Sequence, residues 1–411
     1  MKSTTLTFLG VLTATLCGGS TMFACAPVVR PGGAGGDGGA GATTTGTNAS
    51  STSSGGGSAS TGSVGGASTT TDAATAGTGV VCTGTEVACP SGCADLASDG
   101  ANCGACDHSC QGGACVASQC QPVVVVGSLA SAREIAIDAK NIYWTDTNAG
   151  TVSSVPQAGG SVTMLAMVST AWAIATDGIS VYATEYDTAG GVYSVPVDGG
   201  ARLTLAASQG RPCSIAVGPA GNGFVYFANQ YTGDVTKAAV DGSLTKLFAG
   251  NQGAPPGVTT DADSAYWTDG SYPGTVKQGS LGGSSPVVLA SGQSFPFSIT
   301  TDATSVYWTN MGLTGTGDGS VMAVPKAGGA TILIADSLSG ASHIAVDATN
   351  VYWTTSVAGG SVMSAPIGGG GATTLATGQS FPSGVAVDGT TIYWTNLGSN
   401  AGDGAVMKLA K

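Results

Sequence analysis

The chain has 411 residues, of which 68 are glycine and only 9 % are charged, and its formal net charge is −12. An ordinary soluble domain carries roughly 25 % charged residues. An acidic chain with no basic stripe cannot neutralise phosphates, which excludes a nucleic-acid binder. Abundant glycine disfavours helices, and a hydrophobic content of 42 % argues against disorder throughout. These observations indicate a glycine-rich all-β protein.

The first 24 residues are typical of an export signal peptide. Lys2 is the only charged residue before Arg30, and the run between them is mostly small or apolar. Residues 22–25, Met-Phe-Ala-Cys, resemble a bacterial lipobox, in which the cysteine sulfur carries a lipid. We therefore predict lipidation of Cys25 and contact with the membrane through this anchor only. Free secretion after cleavage at an A-x-A site is the alternative.

Residues 25–81 are predicted to form a flexible linker. Gly, Ser, Thr and Ala fill 44 of the 50 positions from 31 to 80, and the segment contains no aromatic residue. Such a segment cannot bury enough apolar surface to offset its backbone entropy. A tether of this kind would hold a folded domain away from a membrane surface.

Residues 82–121 are predicted to form a small disulfide-rich module. An even number of cysteines so close together in an exported protein indicates four disulfides, although eight cysteines allow 105 pairings. A zinc site at Cys103, Cys106 and His108 is the alternative. The segment resembles small Cys-rich modules of predicted bacterial surface proteins. The eight cysteines are Cys82, Cys89, Cys93, Cys103, Cys106, Cys110, Cys115 and Cys120.

From residue 122 to 411 the sequence repeats seven times. Each repeat contains a short strand with the pattern Tyr-Trp-Thr, in which Ala183 and Phe227 replace Trp in the second and third repeats. The period of about 40 residues is that of a four-stranded propeller blade. The repeated tyrosines are Tyr143, Tyr182, Tyr226, Tyr266, Tyr307, Tyr352 and Tyr393.

The two ends of this region predict how the ring closes. The seventh repeat stops after a third strand at Val406–Leu409, whereas a strand without a repeat of its own stands at Val123–Leu129. Pairing these two strands completes the last blade and leaves no open sheet edge in the ring. We predict an all-β, seven-bladed β-propeller closed by an N-terminal strand.

The motifs resemble the YWTD family of β-propellers and, more loosely, the NHL-type extracellular propellers. This resemblance covers all of residues 122–411 and implies a rigid extracellular recognition scaffold rather than a particular reaction. Propellers of the YWTD family usually have six blades, so a six-bladed ring is the alternative. A shared fold alone does not establish a function.

Departures from the repeat identify candidate binding residues. The residue before the first-strand Ile or Val is small or apolar in five repeats but ionisable in two, Glu134 and His343. Together with neighbouring Arg133, Trp172, Arg211 and Phe297, they predict a mixed pocket at the mouth of the channel, with an aromatic wall, two arginines and one histidine. Ordinary loop variation is the alternative.

Two other sets of residues are assigned to the scaffold. An Asp ends the first strand of most repeats, where it is expected to accept turn N–H groups rather than bind a metal. Cys213 is expected to be a buried thiol rather than a nucleophile. The sequence therefore predicts no metal site, no cofactor and no catalytic residue. The aspartates are Asp138, Asp177, Asp261, Asp302, Asp347 and Asp388.

Three functions are compatible with this sequence. The favoured one is a non-enzymatic binding scaffold at the cell envelope whose partner is an unknown protein, glycan or envelope component. A secreted lyase or hydrolase using His343 and Glu134 is the second, although no Ser-His-Asp spacing, phosphate loop or paired metal motif is present. A structural spacer of the envelope is the third.

Overall fold

The computed structural model describes residues 82–283, 285–313 and 317–411, which form only β-strands and turns. The predicted signal peptide, the lipidation site at Cys25 and the linker lie outside these residues. The described chain divides into a Cys-rich unit, residues 82–123 with 408–411, and a propeller unit, residues 124–407. In this part of the chain no helix has the length and apolar character needed to cross a membrane.

The Cys-rich unit contains two short hairpins and four disulfides. The first hairpin is formed by β1 (Val87–Cys89) and β2 (Gly92–Ala94), and the second by β3 (Cys115–Val116) and β4 (Gln119–Cys120). The predicted disulfides are confirmed. Because Cys103 and Cys106 belong to two different disulfides, the zinc alternative for this pair is wrong. The pairs are Cys82–Cys93, Cys89–Cys106, Cys103–Cys115 and Cys110–Cys120.

The propeller unit consists of seven antiparallel sheets of four strands. The first strand of each blade contacts the first strands of its neighbours, so these seven strands surround the axis. They are β6 (Ala132–Ile137), β10 (Ala171–Thr176), β14 (Pro212–Val217), β18 (Val258–Thr260), β22 (Pro296–Thr301), β26 (Ala341–Val346) and β30 (Pro382–Val387). The second strands carry the Tyr-Trp-Thr pattern: β7 (Asn141–Asp146), β11 (Ser180–Glu185), β15 (Phe224–Asn229), β19 (Ser264–Asp269), β23 (Ser305–Asn310), β27 (Asn350–Thr355) and β31 (Thr391–Asn396).

The third and fourth strands form the outer half of each blade. The third strands are β8 (Thr151–Pro156), β12 (Gly190–Pro196), β16 (Asp234–Ala239), β20 (Gly274–Ser280), β24 (Gly319–Pro325), β28 (Ala358–Pro366) and β32 (Gly404–Ala410). The fourth strands are β9 (Thr163–Met167), β13 (Leu203–Gln209), β17 (Thr245–Ala249), β21 (Val287–Gln293), β25 (Ile332–Leu338), β29 (Thr373–Ser380) and, in the last blade, β5 (Val123–Leu129).

The last blade closes the ring as the sequence predicts. Its strand order is β30, β31, β32 and then β5, so the strand that precedes the first repeat supplies the outer edge of the seventh. The seven-bladed prediction is confirmed, and the six-bladed alternative is wrong. Closure in this way gives every blade four strands, which is the arrangement that leaves a propeller only short, protected edges.

The aromatic residues of the repeat pack in the interior. All seven tyrosines and all five repeated tryptophans are buried. Several of the tryptophans also donate their indole N–H to a glutamine from the preceding blade: Trp308 Nε1 lies 3.0 Å from Gln293 Oε1, and Trp394 Nε1 lies 3.1 Å from Gln379 Oε1. The buried indoles therefore join neighbouring blades while keeping their polar atom hydrogen-bonded.

The Thr of the repeat joins neighbouring blades by hydrogen bonds. In the fifth blade, the Thr309 hydroxyl accepts the backbone N–H of Ser298 and donates to the backbone carbonyl of Ser342 in the next blade. Thr395 makes the equivalent bond across the closing seam, where its hydroxyl donates to the carbonyl of Arg133 at 2.5 Å. Each such Thr thus satisfies buried backbone groups of two elements with one side chain.

Small residues allow the first strands to approach closely around the axis. A Cβ atom at Gly384 would lie 2.8 Å from the backbone nitrogen of Ile135, and one at Gly257 would lie 2.4 Å from the carbonyl oxygen of Phe297. Both distances are shorter than carbon contacts in packed interiors allow. These positions therefore require glycine because of space.

Candidate functional site

The first strands of six blades enclose a cavity of about 190 Å³ on the propeller axis. The surface that lines it is mainly polar, although Ile174, Ile215 and Val258 are among the lining residues. Four of the six predicted site residues line it: Glu134, Trp172, Phe297 and His343. A concave site at which polar groups converge is a candidate site for a small ligand.

The two ionisable departures from the repeat meet in this cavity. His343 Nε2 and Glu134 Oε1 are in direct contact, and their side chains are 13 % and 20 % exposed. The other ring nitrogen, Nδ1 of His343, lies 3.0 Å from the hydroxyl of Ser342. The pair comes from the first and sixth blades, which only the seventh blade separates. A carboxylate and an imidazole in contact within a partly closed cavity can hydrogen-bond a ligand or exchange a proton with it.

Aromatic rings form part of the cavity wall beside this pair. The ring of Phe297 meets the His343 imidazole edge to face, with a separation of 5.3 Å between ring centroids. This contact restrains the imidazole on the side that the carboxylate does not hold. The orientation of His343 is therefore fixed by Glu134, Ser342 and Phe297 together.

Trp172 does not offer a free stacking face. The guanidinium carbon of Arg133 lies 3.5 Å from the centre of its ring, and the ring of Tyr186 stacks against it at 4.1 Å. Only 8 % of Trp172 is exposed. The expected aromatic wall at this point therefore consists of the edge of the indole rather than its face.

Arg133 belongs to the scaffold rather than to the cavity lining. It is 8 % exposed, and its Nε donates a 3.2 Å hydrogen bond to the hydroxyl of Thr147 while the guanidinium stacks on Trp172. The predicted mixed pocket with two arginines needs this correction, because the planar guanidinium gains more from the indole face than from exposure at the mouth. Removing the Arg133 side chain would therefore lower stability.

Arg211 also lies outside the cavity lining, but it is only half-buried. Its guanidinium carbon is 5.7 Å from the centre of the Tyr186 ring and 5.8 Å from that of Tyr231. The aromatic wall that begins at Trp172 in the cavity therefore continues through Tyr186 and Arg211 to Tyr231, which is 60 % exposed. Sequence reasoning missed both tyrosines. The signal was available, because the turns after the second strands of three consecutive blades carry Tyr186, Tyr231 and Tyr272.

Cys213 lies in the cavity wall as a buried thiol that belongs to no disulfide. Its Sγ is 3.3 Å from the carbonyl oxygen of Pro255 and 3.6 Å from that of Ala228, so the thiol is placed to donate to backbone oxygens. Ala228 occupies the position at which most other blades have the bridging Thr. The thiol therefore contributes a weak hydrogen bond in the one blade whose second strand lacks that hydroxyl.

The repeated aspartates serve the scaffold and do not line the cavity. In the first blade, one carboxylate oxygen of Asp138 accepts the N–H groups of Lys140 and Asn141, and the other accepts the hydroxyl of Tyr143 at 2.7 Å. Burial, reinforced by this hydrogen bond, raises the pKa of Tyr143 to about 12. The same carboxylate–tyrosine contact recurs in the blades of Asp177, Asp261, Asp302, Asp347 and Asp388.

Lys326 adds an ion pair to one of these contacts. Its ammonium lies 2.7 Å from the carboxylate of Asp261 in the preceding blade. Burial alone would raise the pKa of Asp261, but the bonds from Lys326, Tyr266 and two backbone N–H groups outweigh it and lower that pKa to about 2. This carboxylate is therefore charged at every physiological pH and has a structural role.

Comparison with known proteins supports the fold but does not assign a function. No family model and no curated protein sequence matches the chain. Among solved structures, it is similar to a catalytically inactive histidine-to-alanine variant of virginiamycin B lyase from Staphylococcus aureus with quinupristin (17 % identity, TM-score 0.59, covering 71 % of this chain and 98 % of that one). It is also similar to a streptogramin B lyase (14 % identity, TM-score 0.59, covering 71 % and 97 %). A chain of a nidogen/laminin complex is less similar (18 % identity, TM-score 0.46, covering 56 % and 90 %).

Proposed function

We propose that the axial cavity is a ligand-binding site and that the protein is a non-enzymatic recognition propeller of the cell envelope. The observation that carries this proposal is the meeting of Glu134 and His343. They are the two ionisable exceptions to a position that is otherwise small or apolar, and they contact each other inside the cavity. A scaffold needs neither charge there, because five other blades do without one.

The cavity sets the size of what it binds. A volume of about 190 Å³ is below the 300–1,000 Å³ of typical drug-sized sites. The bound part of a larger partner is therefore a single side chain, a sugar unit or a chain end. A protein, a glycan or another envelope component can supply such a group.

Exchanging both ionisable groups for neutral amides tests this proposal. In the double variant Glu134→Gln/His343→Gln, side chains of similar size remain but the carboxylate and the imidazole are lost. Screened against an array of glycans, peptidoglycan fragments and peptides, the wild type should retain ligands that the variant binds at least tenfold more weakly, with a similar melting temperature. Lys140→Ala, in a turn away from the cavity, is the control.

Two results would contradict the proposal. Binding per folded molecule that is equal in the wild type and the double variant would place the ligand elsewhere. A wild-type protein that retains nothing on the array would favour the structural spacer.

Lyase or hydrolase chemistry is the second candidate, and the same pair favours it. His343 in contact with a carboxylate is suited to general-base catalysis, and it is the only histidine of residues 122–411. One structural relative is inactive when a histidine is replaced by alanine. Incubation with quinupristin, followed by liquid chromatography, tests this directly. Conversion by the wild type that disappears in His343→Ala would establish an enzyme, and no conversion by either would remove this substrate.

We further propose that a lipid on Cys25 tethers the propeller to the membrane. Four disulfides within a short unit are typical of a protein that folds in an oxidising compartment, which agrees with export. Cys25→Ser should move the protein from the detergent-extracted membrane fraction to the soluble exported fraction. Mass spectrometry that finds unmodified Cys25 in the mature protein would contradict the tether.

A further inference from the structure

In the third blade, Arg211 is the residue directly before the first strand. In five blades this residue has a left-handed conformation, with φ between +49° and +67°. The sixth blade uses Gly340 there, which adopts this conformation without strain. Arg211 adopts it at φ +54° despite its large side chain. Thr170, Phe295 and Phe381 do the same in three other blades, so a non-glycine residue is the common case here, and replacing Arg211 by glycine would relieve its backbone.

The guanidinium of Arg211 lies near two aromatic rings. Its carbon is 5.7 Å from the centre of the Tyr186 ring and 5.8 Å from that of the Tyr231 ring. Within the described residues, no Asp or Glu oxygen lies within 4 Å of its nitrogens. Arg133 differs, because it is buried against Trp172. Arg211 is therefore the arginine beside the cavity that can present its N–H groups to an anion.

The same aromatic wall connects Arg211 to the cavity. Trp172 lines the cavity, and the separations of 4.1 Å to Tyr186 and 5.7 Å from Tyr186 to Arg211 place the guanidinium within about 10 Å of the indole, the length of roughly three extended residues. A ligand with one end in the cavity can thus place an anionic group against Arg211.

The polar groups around Arg211 favour a peptide over an acidic sugar. Gln209 donates to the carbonyl of Ala207 and accepts from Asn229, while the Gln230 amide oxygen accepts the hydroxyl of Tyr186 at 2.5 Å. These amides are engaged within the protein, so few side chains remain to bind several sugar hydroxyls. The tyrosine faces suit an apolar or aromatic side chain next to a carboxylate.

We propose that Arg211 binds the C-terminal carboxylate of a short peptide segment whose preceding residues reach the axial cavity. This assignment rests on the proposed function, since it names the class of ligand for the same site. A guanidinium binds a carboxylate through two parallel N–H···O bonds. In Arg211 this group lies beside the rings of Tyr186 and Tyr231. The bound chain end is then recognised by its charge at Arg211 and by its side chain in the cavity.

Matched peptide libraries test the assignment. Acetylated tetrapeptides of varied sequence are immobilised through their N-terminal side, once with a free C-terminal carboxylate and once as the C-terminal amide. The full-length protein should bind the acid members at least tenfold more tightly than their amides. Arg211→Gln should abolish this difference. Arg202→Gln should preserve it, because Arg202 stacks on Tyr193 in another part of the same propeller.

The variant Arg211→Gly separates a binding role from a structural one. Glycine relieves the left-handed backbone, so its melting temperature should equal or exceed that of the wild type while binding of the acid peptides is lost. A lower melting temperature by several degrees would show that Arg211 stabilises the fold, and would overturn the assignment.

Other results would contradict the carboxylate site at Arg211 and would leave the proposed binding function of the axial cavity unaffected. Equal binding of acids and amides, or no binding of any peptide, removes the carboxylate site. Retention of oligogalacturonate through Arg211 instead of peptides assigns the anion to a sugar. In each case the Glu134→Gln/His343→Gln variant still tests the cavity independently, against whatever the wider array retains.

Discussion

The Cys-rich unit and the propeller are stabilised by different kinds of contact. In the Cys-rich unit, disulfides join residues only 10 to 17 positions apart, and the strands are two or three residues long. In the propeller, the closing contact from Thr395 to Arg133 spans 262 residues and contains no covalent link. Small segments that cannot build a core use crosslinks, whereas the long repeat buries its motifs between blades. The stability of the Cys-rich unit is therefore local and covalent, whereas that of the propeller is distributed over contacts between blades.

Removing the closing strand should have the largest effect on the propeller. A chain that begins at Ser131 lacks β5, so β32 loses its partner and the ring keeps an open edge. We expect no cooperative thermal transition by calorimetry. A chain that begins at Gln121 lacks the disulfides but keeps β5, and it should melt cooperatively. Equal melting of the two chains would contradict closure by this strand.

Reduction should unfold the Cys-rich unit alone. Loss of a native disulfide from a small domain costs about 2–5 kcal/mol, and this unit has four. After dithiothreitol and an alkylating reagent, its eight cysteines should be modified while the propeller keeps its melting temperature, because Cys213 is buried and belongs to no disulfide. A fall in the melting temperature of the propeller by more than a few degrees would show that the two units are stabilised jointly.

Alkaline pH should destabilise the propeller rather than the Cys-rich unit. Burial raises the pKa of Tyr143, Tyr307 and Tyr393 to about 12, and raises those of the other repeated tyrosines as well. The unfolded value is about 10, so the unfolded state loses protons first. The stabilisation is complete below pH 10 and is lost as the pH rises towards 12. Residues 82–121 contain no tyrosine.

The measurement is a pair of denaturation curves at pH 9 and pH 11. The free energy of unfolding of the propeller should be clearly lower at pH 11, and Tyr307→Phe should reduce that difference because it removes one titrating group. A propeller stability that is independent of pH over this interval would refute the coupling.

A single bridging hydroxyl should have the smallest effect. Thr395→Val leaves the carbonyl of Arg133 without its donor at a buried seam, which costs about 1–3 kcal/mol. Thr163→Val, at an exposed position of an outer strand, should change stability by no more than about 0.5 kcal/mol. Urea denaturation of both variants measures the contrast. Equal values would mean that the hydroxyls are not what holds the blades together.

The parts of the fold that recur along the chain could be predicted from the sequence. Five copies of Tyr-Trp-Thr and two variants of it specify seven second strands, and the additional strand at Val123–Leu129 specifies the closure. Nothing recurs among the cysteines, so their pairing had to come from the structure. The meeting of Glu134 and His343 in one cavity could be anticipated because the ring order brings the first and sixth blades near each other.

The remaining parts of the site depend on side-chain contacts between loops of different blades. The burial of Arg133 against Trp172 could not be predicted, because arginine is a residue type that is mostly exposed. The cluster of Tyr186, Arg211 and Tyr231 brings together residues that are at least twenty positions apart in the sequence. Only their arrangement around the axis shows that Arg133 is buried against Trp172 while Arg211 is half-buried beside two tyrosines.

Closure of the last blade by β5, a strand that precedes the first repeat, also affects how the chain could be connected. In the last blade β5 and β32 are paired neighbours, so the ring has no seam that depends on a particular covalent order of its blades. A circular permutant that joins residue 410 to residue 123 by a short linker, and opens the chain in the exposed turn at Gly329, keeps every blade intact. Such a permutant would carry its new ends on an outer turn, where a second domain or a surface anchor could be attached away from the axial cavity.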